Sequence, residues 1–238
     1  MATSPLFLKK TEIHLWQICL NNFSAKQLFS WLDPSEQTRA ERFKTDILSH
    51  RYIVAHAAMR DILAKYWGGS AASLDLVQAL HQKPLIRPKA NQPELHFSLS
   101  HSHEVAMLAV SQTWVVGVDI EHIRPIADVT QLAKRFFATS EYELLQQSSK
   151  AQQLALFFKI WTAKEAFLKA NGLGISNYLK QFSITLNHEQ EPIGIEQAKI
   201  STEAWTLHRL VTILGYESTL AVKSSSEHTL RYFNWNNA

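Results

Sequence analysis

Two hydrophobic periods follow one another along this chain, the two-residue period of strands and the 3.6-residue period of helices. Asp, Gly and Pro residues separate the segments, as they do between regular elements. Strands are predicted at residues 12–20, 95–99, 105–110, 114–121, 182–186, 205–214 and 218–222. Helices are predicted at residues 24–32, 35–43, 48–67, 129–137, early in 139–153, and at 154–171. This mixture indicates an α+β fold.

Short connections predict that the strands at 95–99, 105–110 and 114–121 form an antiparallel meander. The first connection, residues 100–103, is expected to be a turn. Residues 70–94 contain three prolines and are expected to form a loop. The tail from Lys223 onwards is polar, and we expect it to be peripheral despite its aromatic residues.

Composition narrows the class of protein. The 238 residues are 46% hydrophobic and 19% charged, which is enough to bury a core in one large or two small domains. The net charge of +3 suits an anionic ligand but is too small for a dedicated nucleic-acid binder. Cys19 is the only cysteine, so a reducing compartment fits. Without a signal sequence or an apolar run of about 20 residues, we expect a cytoplasmic protein that does not enter a membrane.

Two carboxylates end the strand at 114–121. Asp119 and Glu121 point to the same face, about 6–7 Å apart, because side chains alternate along a strand. Gly117 shares that face and is expected to leave open space beside Asp119. Paired acids repel each other unless a hard cation such as Mg²⁺ lies between them. The alternative is a strand end running into solvent, where acids are ordinary.

The helix at 154–171 carries a second polar stripe. Trp161, Glu165 and Lys169 recur every four residues, roughly opposite an apolar stripe that includes Phe167. Glu165 and Lys169 alone could be an exposed salt bridge. The aligned tryptophan carries a large apolar area, which favours a stripe that faces protein or ligand.

If both acidic segments share a site, three carboxylates and a lysine suit Mg²⁺ and a phosphate. Several arginines could be solvated or could hold phosphate: Arg39, Arg42, Arg51 and Arg60. A Gly-rich phosphate loop followed by Lys-Ser/Thr is absent from the sequence. The residues therefore predict a metal-dependent enzyme acting on a phosphate bond, without naming its substrate.

The two main motifs resemble the paired motif of the Sfp-like 4'-phosphopantetheinyl transferases. They are Gly117-Val118-Asp119-Ile120-Glu121 and, about 40 residues later, Trp161-Thr162-Ala163-Lys164-Glu165-Ala166-Phe167-Leu168-Lys169. Shorter family motifs occur in the same order: Lys83-Pro84, Phe97-Ser98-Leu99-Ser100-His101-Ser102, Arg135-Phe136-Phe137 and Glu141-Tyr142. The resemblance covers roughly residues 33–222.

The resemblance implies a monomer of two similar α/β halves, residues 1–115 and 116–238, with the active site in the cleft between them. It implies transfer of phosphopantetheine from coenzyme A to a serine of an acyl or peptidyl carrier protein, with Mg²⁺ as cofactor and adenosine 3',5'-bisphosphate as the second product. The residues near 123–126 and the helix from Val129 would lie near the docking surface for the carrier protein.

The resemblance also assigns residue roles. The metal ligands would be Asp119, Glu121 and Glu165. The serine proton would go to Glu165, or to Glu141 through water on the metal, and Lys169 would contact the transferred phosphate. Coenzyme A would be bound by Arg39, Lys83, Ser100, His101, Lys164 and Lys169.

Two positions depart from the family pattern. Glu36 stands where members often have a basic residue, which puts one contact with the 3'-phosphate in doubt. Gln82 stands where a glycine commonly precedes the Lys-Pro motif. Two rival functions remain, a metal-dependent nuclease and a non-enzymatic binding module.

Overall fold

The structure, a computed structural model, divides into two units. It describes residues 6–78, 84–88, 94–173, 178–197, 204–211, 213–224 and 226–236. The first unit contains the described residues up to 78, 84–113 and 228–236, and the second contains those of 114–227. The chain therefore returns to its first unit at the C-terminal end. In that respect the units differ from the expected halves, 1–115 and 116–238.

The described elements come in runs of helices and runs of strands, as expected of an α+β fold. In chain order they are β1 (Glu12–Cys19), α1 (Ala25–Leu28), α2 (Pro34–Glu41), α3 (Asp46–Trp67), β2 (Leu76–Gln78), β3 (Pro84–Ile86), β4 (His96–Ser102), β5 (Val105–Ser111), β6 (Val116–His122), α4 (Val129–Phe136), α5 (Thr139–Gln147), α6 (Lys150–Asn171), β7 (Phe182–Leu186), β8 (Pro192–Gln197), β9 (Thr206–Arg209), β10 (Tyr216–Val222) and β11 (Thr229–Asn234). Among the described residues, no helix combines the length and the apolar character needed to cross a bilayer.

The first unit is built on a sheet of order β11-β1-β5-β4. The polar tail was wrongly predicted to be peripheral, because β11 pairs in parallel with β1. Phe233 stacks on Trp16 with 4.7 Å between the ring centroids. Trp235 is buried, and its indole N–H donates to Asp61 Oδ2 at 2.8 Å. These aromatic residues stabilise the edge of the sheet, a role that local polarity conceals.

Helix α3 fills the core of the first unit and is anchored through a buried arginine. Arg60 lies neither in solvent nor at a phosphate: its guanidinium pairs with Asp33 and Glu36 and donates to the carbonyl oxygens of Ala71 and Leu74. Asp33 also caps α2 in a reciprocal arrangement with Glu36. The acidic departure at position 36 therefore has a structural partner, Arg60.

The second unit is built on a sheet of order β6-β10-β9, with α6 packed against it and the hairpin β7-β8 beside it. The predicted meander is wrong in its third strand, because β6 pairs with β10 rather than with β5. The predicted turn at 100–103 is also wrong in position. Strand β4 continues to Ser102, and the reversal occurs at His103, whose φ of 51° is left-handed. Pairing over a long sequence separation overrode the local pattern.

The remaining differences are local. The predicted loop at 70–94 contains the short pair β2-β3, and the predicted surface loop before 154 is the first turn of α6. The glycine end of α6 was predicted correctly: Gly172 has a left-handed φ of 67°.

Candidate active site

A glycine lets the acidic strand and the long helix of the second unit meet. A Cβ atom built on Gly117 of β6 would lie 2.0 Å from the carbonyl oxygen of Ala166 and 2.5 Å from the backbone nitrogen of Ala170. The expected open space beside Asp119 is therefore filled by α6. Only glycine permits this approach, and it brings the face of Asp119 against the helix that carries Glu165 and Lys169.

Asp119 lies at this junction and is held from two sides. Its carboxylate Oδ1 accepts a hydrogen bond from Lys169 Nζ at 2.6 Å. Its backbone oxygen accepts one from Ser218 Oγ at 2.6 Å. The neighbouring Thr219 shares a hydrogen bond with Thr162 of α6 at 2.9 Å, which ties strand to helix beneath the acid. Asp119 is only 3% exposed, so its carboxylate is fixed at this place.

Two further acidic residues, Glu165 and Glu121, lie near Asp119. Burial raises the pKa of Glu165 to about 8, helped by the nearby charges of Asp119 and Glu121 and opposed by that of Lys169. Glu121 is half-buried and lies 3.8 Å from the guanidinium of Arg124. The structure therefore gathers the four residues predicted from the two long motifs. Three carboxylates share the immediate neighbourhood of one lysine.

The donor set suits a hard cation, although its ligand geometry is not assembled. Within the described ranges, no three acidic, histidine or cysteine side chains are arranged to hold a metal ion. The ammonium of Lys169 instead neutralises Asp119. Three carboxyl groups, one of them with a pKa raised by burial and by its acidic neighbours, are oxygen donors that fit Mg²⁺ by chemistry. A cation at this point would also relieve the repulsion among the acids.

Glu141 and Lys164 form a second ion pair in the same unit, with a different character. Lys164 Nζ lies 2.8 Å from Glu141 Oε2 and donates to the carbonyl oxygens of Leu179 and Phe182 at 2.7 and 2.6 Å. Glu141 also accepts from the backbone N–H groups of Ala138 and Ile184. Burial lowers the pKa of Lys164 and raises that of Glu141, and their mutual attraction opposes both shifts.

This pair bears on two expected roles, coenzyme binding by Lys164 and proton transfer by Glu141. The Lys164 side chain has no exposed surface, and its three N–H groups have three protein acceptors. A contact between Lys164 and coenzyme A would break all of these interactions. The carboxylate oxygens of Glu141 likewise accept hydrogen bonds from the backbone at the start of α5, from the backbone of β7 and from Lys164. Both residues therefore fit a structural role rather than coenzyme binding or proton transfer.

Trp161, which shares the stripe of Glu165, faces protein. It is half-buried and packs against Phe157 and Phe136, each with 5.7 Å between ring centroids. The expectation that this stripe faces protein or ligand is confirmed for the tryptophan. The aromatic contacts fix the rotation of α6 and thereby the direction of Glu165 and Lys169.

Three of the residues expected to bind coenzyme A, Arg39, Ser100 and His101, lie in the first unit. Arg39 on α2 is exposed, with its guanidinium 5.5 Å from the ring centre of Tyr52. Ser100 is buried on β4, and the adjacent His101 is exposed. Lys83 lies outside the described residues. Arg39 and His101 therefore present cationic or polar groups to an incoming anion.

Sequence reasoning missed a histidine that lies near these groups. His56 of α3 stacks on Tyr52 with 3.8 Å between ring centroids, and its Nδ1 lies 3.0 Å from the Tyr52 carbonyl oxygen. Burial lowers the pKa of His56 to about 3, and the charges of His101 and Arg39 act in the same direction. The available signal was the spacing of four residues between Tyr52 and His56, which stacks side chains on one helix face.

Two family models together match most of this chain. A model described as the 4'-phosphopantetheinyl transferase superfamily matches residues 115–222, and one described as 4'-phosphopantetheinyl transferase, N-terminal, matches residues 14–113. The 4'-phosphopantetheinyl transferase HetI of Nostoc sp. is 36% identical over 209 residues, covering 87% of this chain and 85% of HetI. The transferase Sfp of Bacillus subtilis is 29% identical over 171 residues, covering 72% of this chain and 73% of Sfp.

A solved structure shows a weaker likeness. A holo-(acyl-carrier-protein) synthase from Bacillus anthracis, in complex with CoA (3',5'-ADP), covers 48% of this chain and 98% of its own, at 19% identity and a TM-score of 0.40. That likeness is too slight to add to the assignment. The two matched models and the extended identity to HetI decide it: the chain belongs to the 4'-phosphopantetheinyl transferase family, in its Sfp-like type.

Proposed function

We propose that this enzyme transfers 4'-phosphopantetheine from coenzyme A to a serine of an apo acyl or peptidyl carrier protein, with Mg²⁺ as cofactor. Adenosine 3',5'-bisphosphate is the second product. The observation that carries the proposal is the meeting of Asp119, Glu165 and Lys169 at the packing contact of Gly117. These are the residues by which the two long motifs resemble the family.

In this mechanism the serine oxygen bonds to the β-phosphorus of coenzyme A, and the bond from that phosphorus to the bridging oxygen breaks. Glu165 takes the serine proton, because Glu141 is committed to Lys164 and to two backbone N–H groups. Lys169 leaves Asp119 to donate to the transferred phosphate, where its charge offsets that of the reacting oxygens. Mg²⁺, held by Asp119, Glu121 and Glu165, would neutralise the pyrophosphate and polarise its β-phosphate.

The family resemblance assigns further contacts with the coenzyme to residues of the N-terminal half. Arg39 and His101 are exposed and would bind phosphate oxygens, with Ser100 and Lys83 as additional donors. His56 is held neutral at pH 7 by its low pKa, and its one N–H, on Nδ1, is donated to the Tyr52 carbonyl oxygen, so its Nε2 can only accept a hydrogen bond. Glu36 offers the coenzyme no positive charge where family members often have a basic residue. Its carboxylate pairs with Arg60 instead.

The direct experiment incubates the purified chain with coenzyme A, Mg²⁺ and apo acyl or peptidyl carrier proteins, and measures the intact mass of each carrier. We expect one phosphopantetheinyl group to be added, and no addition when the carrier serine is replaced by alanine or when Mg²⁺ is chelated. If none of the carriers gains this mass, the proposal fails. The nuclease rival would instead be supported by divalent-dependent cleavage of DNA or RNA.

Variants of the site test the residue roles. Asp119→Ala and Glu165→Ala are expected to lower the transfer rate by at least about 100-fold while circular dichroism stays unchanged. The matched control is Glu143→Ala, which removes an exposed acid of α5. Full activity in a folded Asp119→Ala protein would refute the metal assignment and favour a site that does not use a cation.

A further inference from the structure

The hairpin between β9 and β10 ends in an unusual tip. Val211, Ile213 and Leu214 are 79%, 38% and 99% exposed. Hairpin turns normally use Gly, Asn, Asp or Ser, whose polar or small side chains tolerate water and tight backbone angles. Among the described residues of the second unit, Ile193 is the other large apolar side chain with comparable exposure. We name the side chains of Val211, Ile213 and Leu214 the apolar tip.

The hairpin presents this tip in a defined conformation. The Leu210 N–H donates to the Ser218 carbonyl oxygen at 2.9 Å, which extends the pairing of β9 with β10. The Tyr216 N–H donates to the Ile213 oxygen at 3.2 Å and closes the turn. Gly215 adopts a left-handed φ of 88°, with open space where a Cβ would point. The turn therefore holds the apolar side chains in solvent and away from the core.

The tip lies at the end of the sheet where the acidic residues are found. In the β6-β10 register, Tyr216 is opposite His122 and Thr219 is opposite Asp119. The Ile123 N–H donates to the Gly215 carbonyl oxygen at 2.8 Å, so the chain leaving β6 is joined to the tip. Three residues of strand span about 10 Å, which places the tip within roughly 15 Å of Asp119.

A protein substrate must cover this distance. A standard protein interface buries about 800 Å² on each partner, a patch that extends about 15 Å from its centre. A carrier protein whose serine reaches Asp119 and Glu165 can therefore extend to the tip. Arg124 lies at the rim, exposed and in a long 3.8 Å contact with Glu121, so a carboxylate on the partner can compete for it.

We propose that the apolar tip, with Arg124 at its rim, is part of the docking surface for the carrier protein. The partner would present apolar side chains flanked by carboxylates, as the chemistry of the tip requires. This inference rests on the proposed function and adds a second surface to the loop at 123–126. Burial of three apolar side chains supplies affinity, and Arg124 supplies orientation.

The experiment compares the wild-type chain with Leu214→Asp and the milder Leu214→Ser. We expect the KM for the apo carrier protein to rise about tenfold in Leu214→Asp, with kcat and the Kd for coenzyme A unchanged. The side chain is 99% exposed, so neither variant should lose stability. Phe7→Asp is the matched control, because it places the same charge on an exposed apolar position of the first unit.

Other outcomes separate this inference from the proposed function. If the wild-type chain modifies a carrier and both folded Leu214 variants keep its KM, the docking inference is overturned while the proposed function stands. If Leu214→Asp abolishes self-association in sedimentation, or binding to phosphatidylglycerol vesicles, and leaves the KM unchanged, the tip serves a second copy or a membrane surface. An inactive wild-type chain counts against the proposed function itself.

Discussion

Lys164 and Lys169 lie five positions apart on α6, and both contact a carboxylate of the second unit, yet their surroundings differ. Lys164 has no exposed side-chain surface and donates to three protein acceptors. Lys169 is 29% exposed and reaches one of three clustered acids. The buried ammonium of Lys164 already has an acceptor for each of its N–H groups and therefore stabilises the fold. The partly exposed ammonium of Lys169 lies beside several acids and can exchange one partner for another. The first arrangement is structural and the second is suited to chemistry.

The largest effect should come from breaking the buried pair. Lys164→Met leaves Glu141 charged and without its ammonium in the interior, at a cost of about 3–5 kcal/mol in the free energy of unfolding. Urea unfolding measures the loss, and Lys150→Met at the exposed start of the same helix is the control. The double variant Glu141→Leu, Lys164→Met should recover part of the stability. An unchanged unfolding midpoint in Lys164→Met would show that the pair is not structural.

The contact between strand and helix gives the next effect. Gly117→Ala places a methyl group 2.0 Å from a helix carbonyl oxygen, so α6 must move away from β6. We expect a loss of about 3 kcal/mol and a lower transfer rate per folded molecule, since Lys169 and Asp119 separate. In the control Gly194→Ala, the nearest atoms lie 3.9 and 4.0 Å from the added carbon. Equal stability of the two variants would contradict the close approach.

The acidic cluster should reveal itself through pH. The pKa of Glu165 is raised from 4.5 to about 8, so the folded state binds its proton more tightly than the unfolded chain does. Its contribution to stability is full below about pH 4.5 and is lost as the pH rises towards 8. In metal-free protein, Glu165→Gln should therefore be more stable than the wild type by about 3–4 kcal/mol at pH 8, and nearly equal to it around pH 4.5.

This comparison needs unfolding curves at several pH values, with Glu143→Gln as the exposed control. A gap that stays constant between pH 4.5 and 8 would mean that folding does not raise the pKa of Glu165. Added Mg²⁺ should narrow the gap at pH 8, because a bound cation stabilises the ionised wild-type site.

The smallest effect on stability is expected for Lys169→Met. Water can reach the Lys169 side chain, but the buried Asp119 would lose its cation, so the loss should be about 2 kcal/mol, below that of Lys164→Met. Thermal and urea unfolding of the two variants side by side test the ranking. A larger loss in Lys169→Met would reverse the assignment of structural and chemical roles.

The sequence predicted much of the site but little of its assembly. The spacing of Glu165 and Lys169 on one helix face and the alternation at Asp119 are local properties, and both predictions hold. That the two segments meet depends on the pairing of β6 with β10, whose residues Ser218 and Thr219 lie about 100 positions away. Local hydrophobic patterns do not indicate which strands pair when they are distant in sequence. For the same reason, the parallel strand β11 at the C-terminal end was not predicted.

Burial accounts for the other errors. Lys164, Glu141 and Arg60 are charged residues that a pattern assigns to a surface or a ligand, yet each is buried with partners distant in sequence. The motif containing Lys164 and Lys169 does not distinguish the two lysines. Their environments do, because Lys164 faces the carbonyl oxygens of Leu179 and Phe182, which follow the helix.

One measurement tests the central claim most directly: the initial rate of phosphopantetheine transfer to an apo carrier protein, followed by intact mass, for two folded variants. Lys169→Met should lose at least about 100-fold in rate, whereas the double variant Glu141→Leu, Lys164→Met should stay within about tenfold of the wild type under conditions where circular dichroism shows it folded. A double variant as inactive as Lys169→Met, or a Lys169→Met protein with the wild-type rate, would contradict the division between the two lysines.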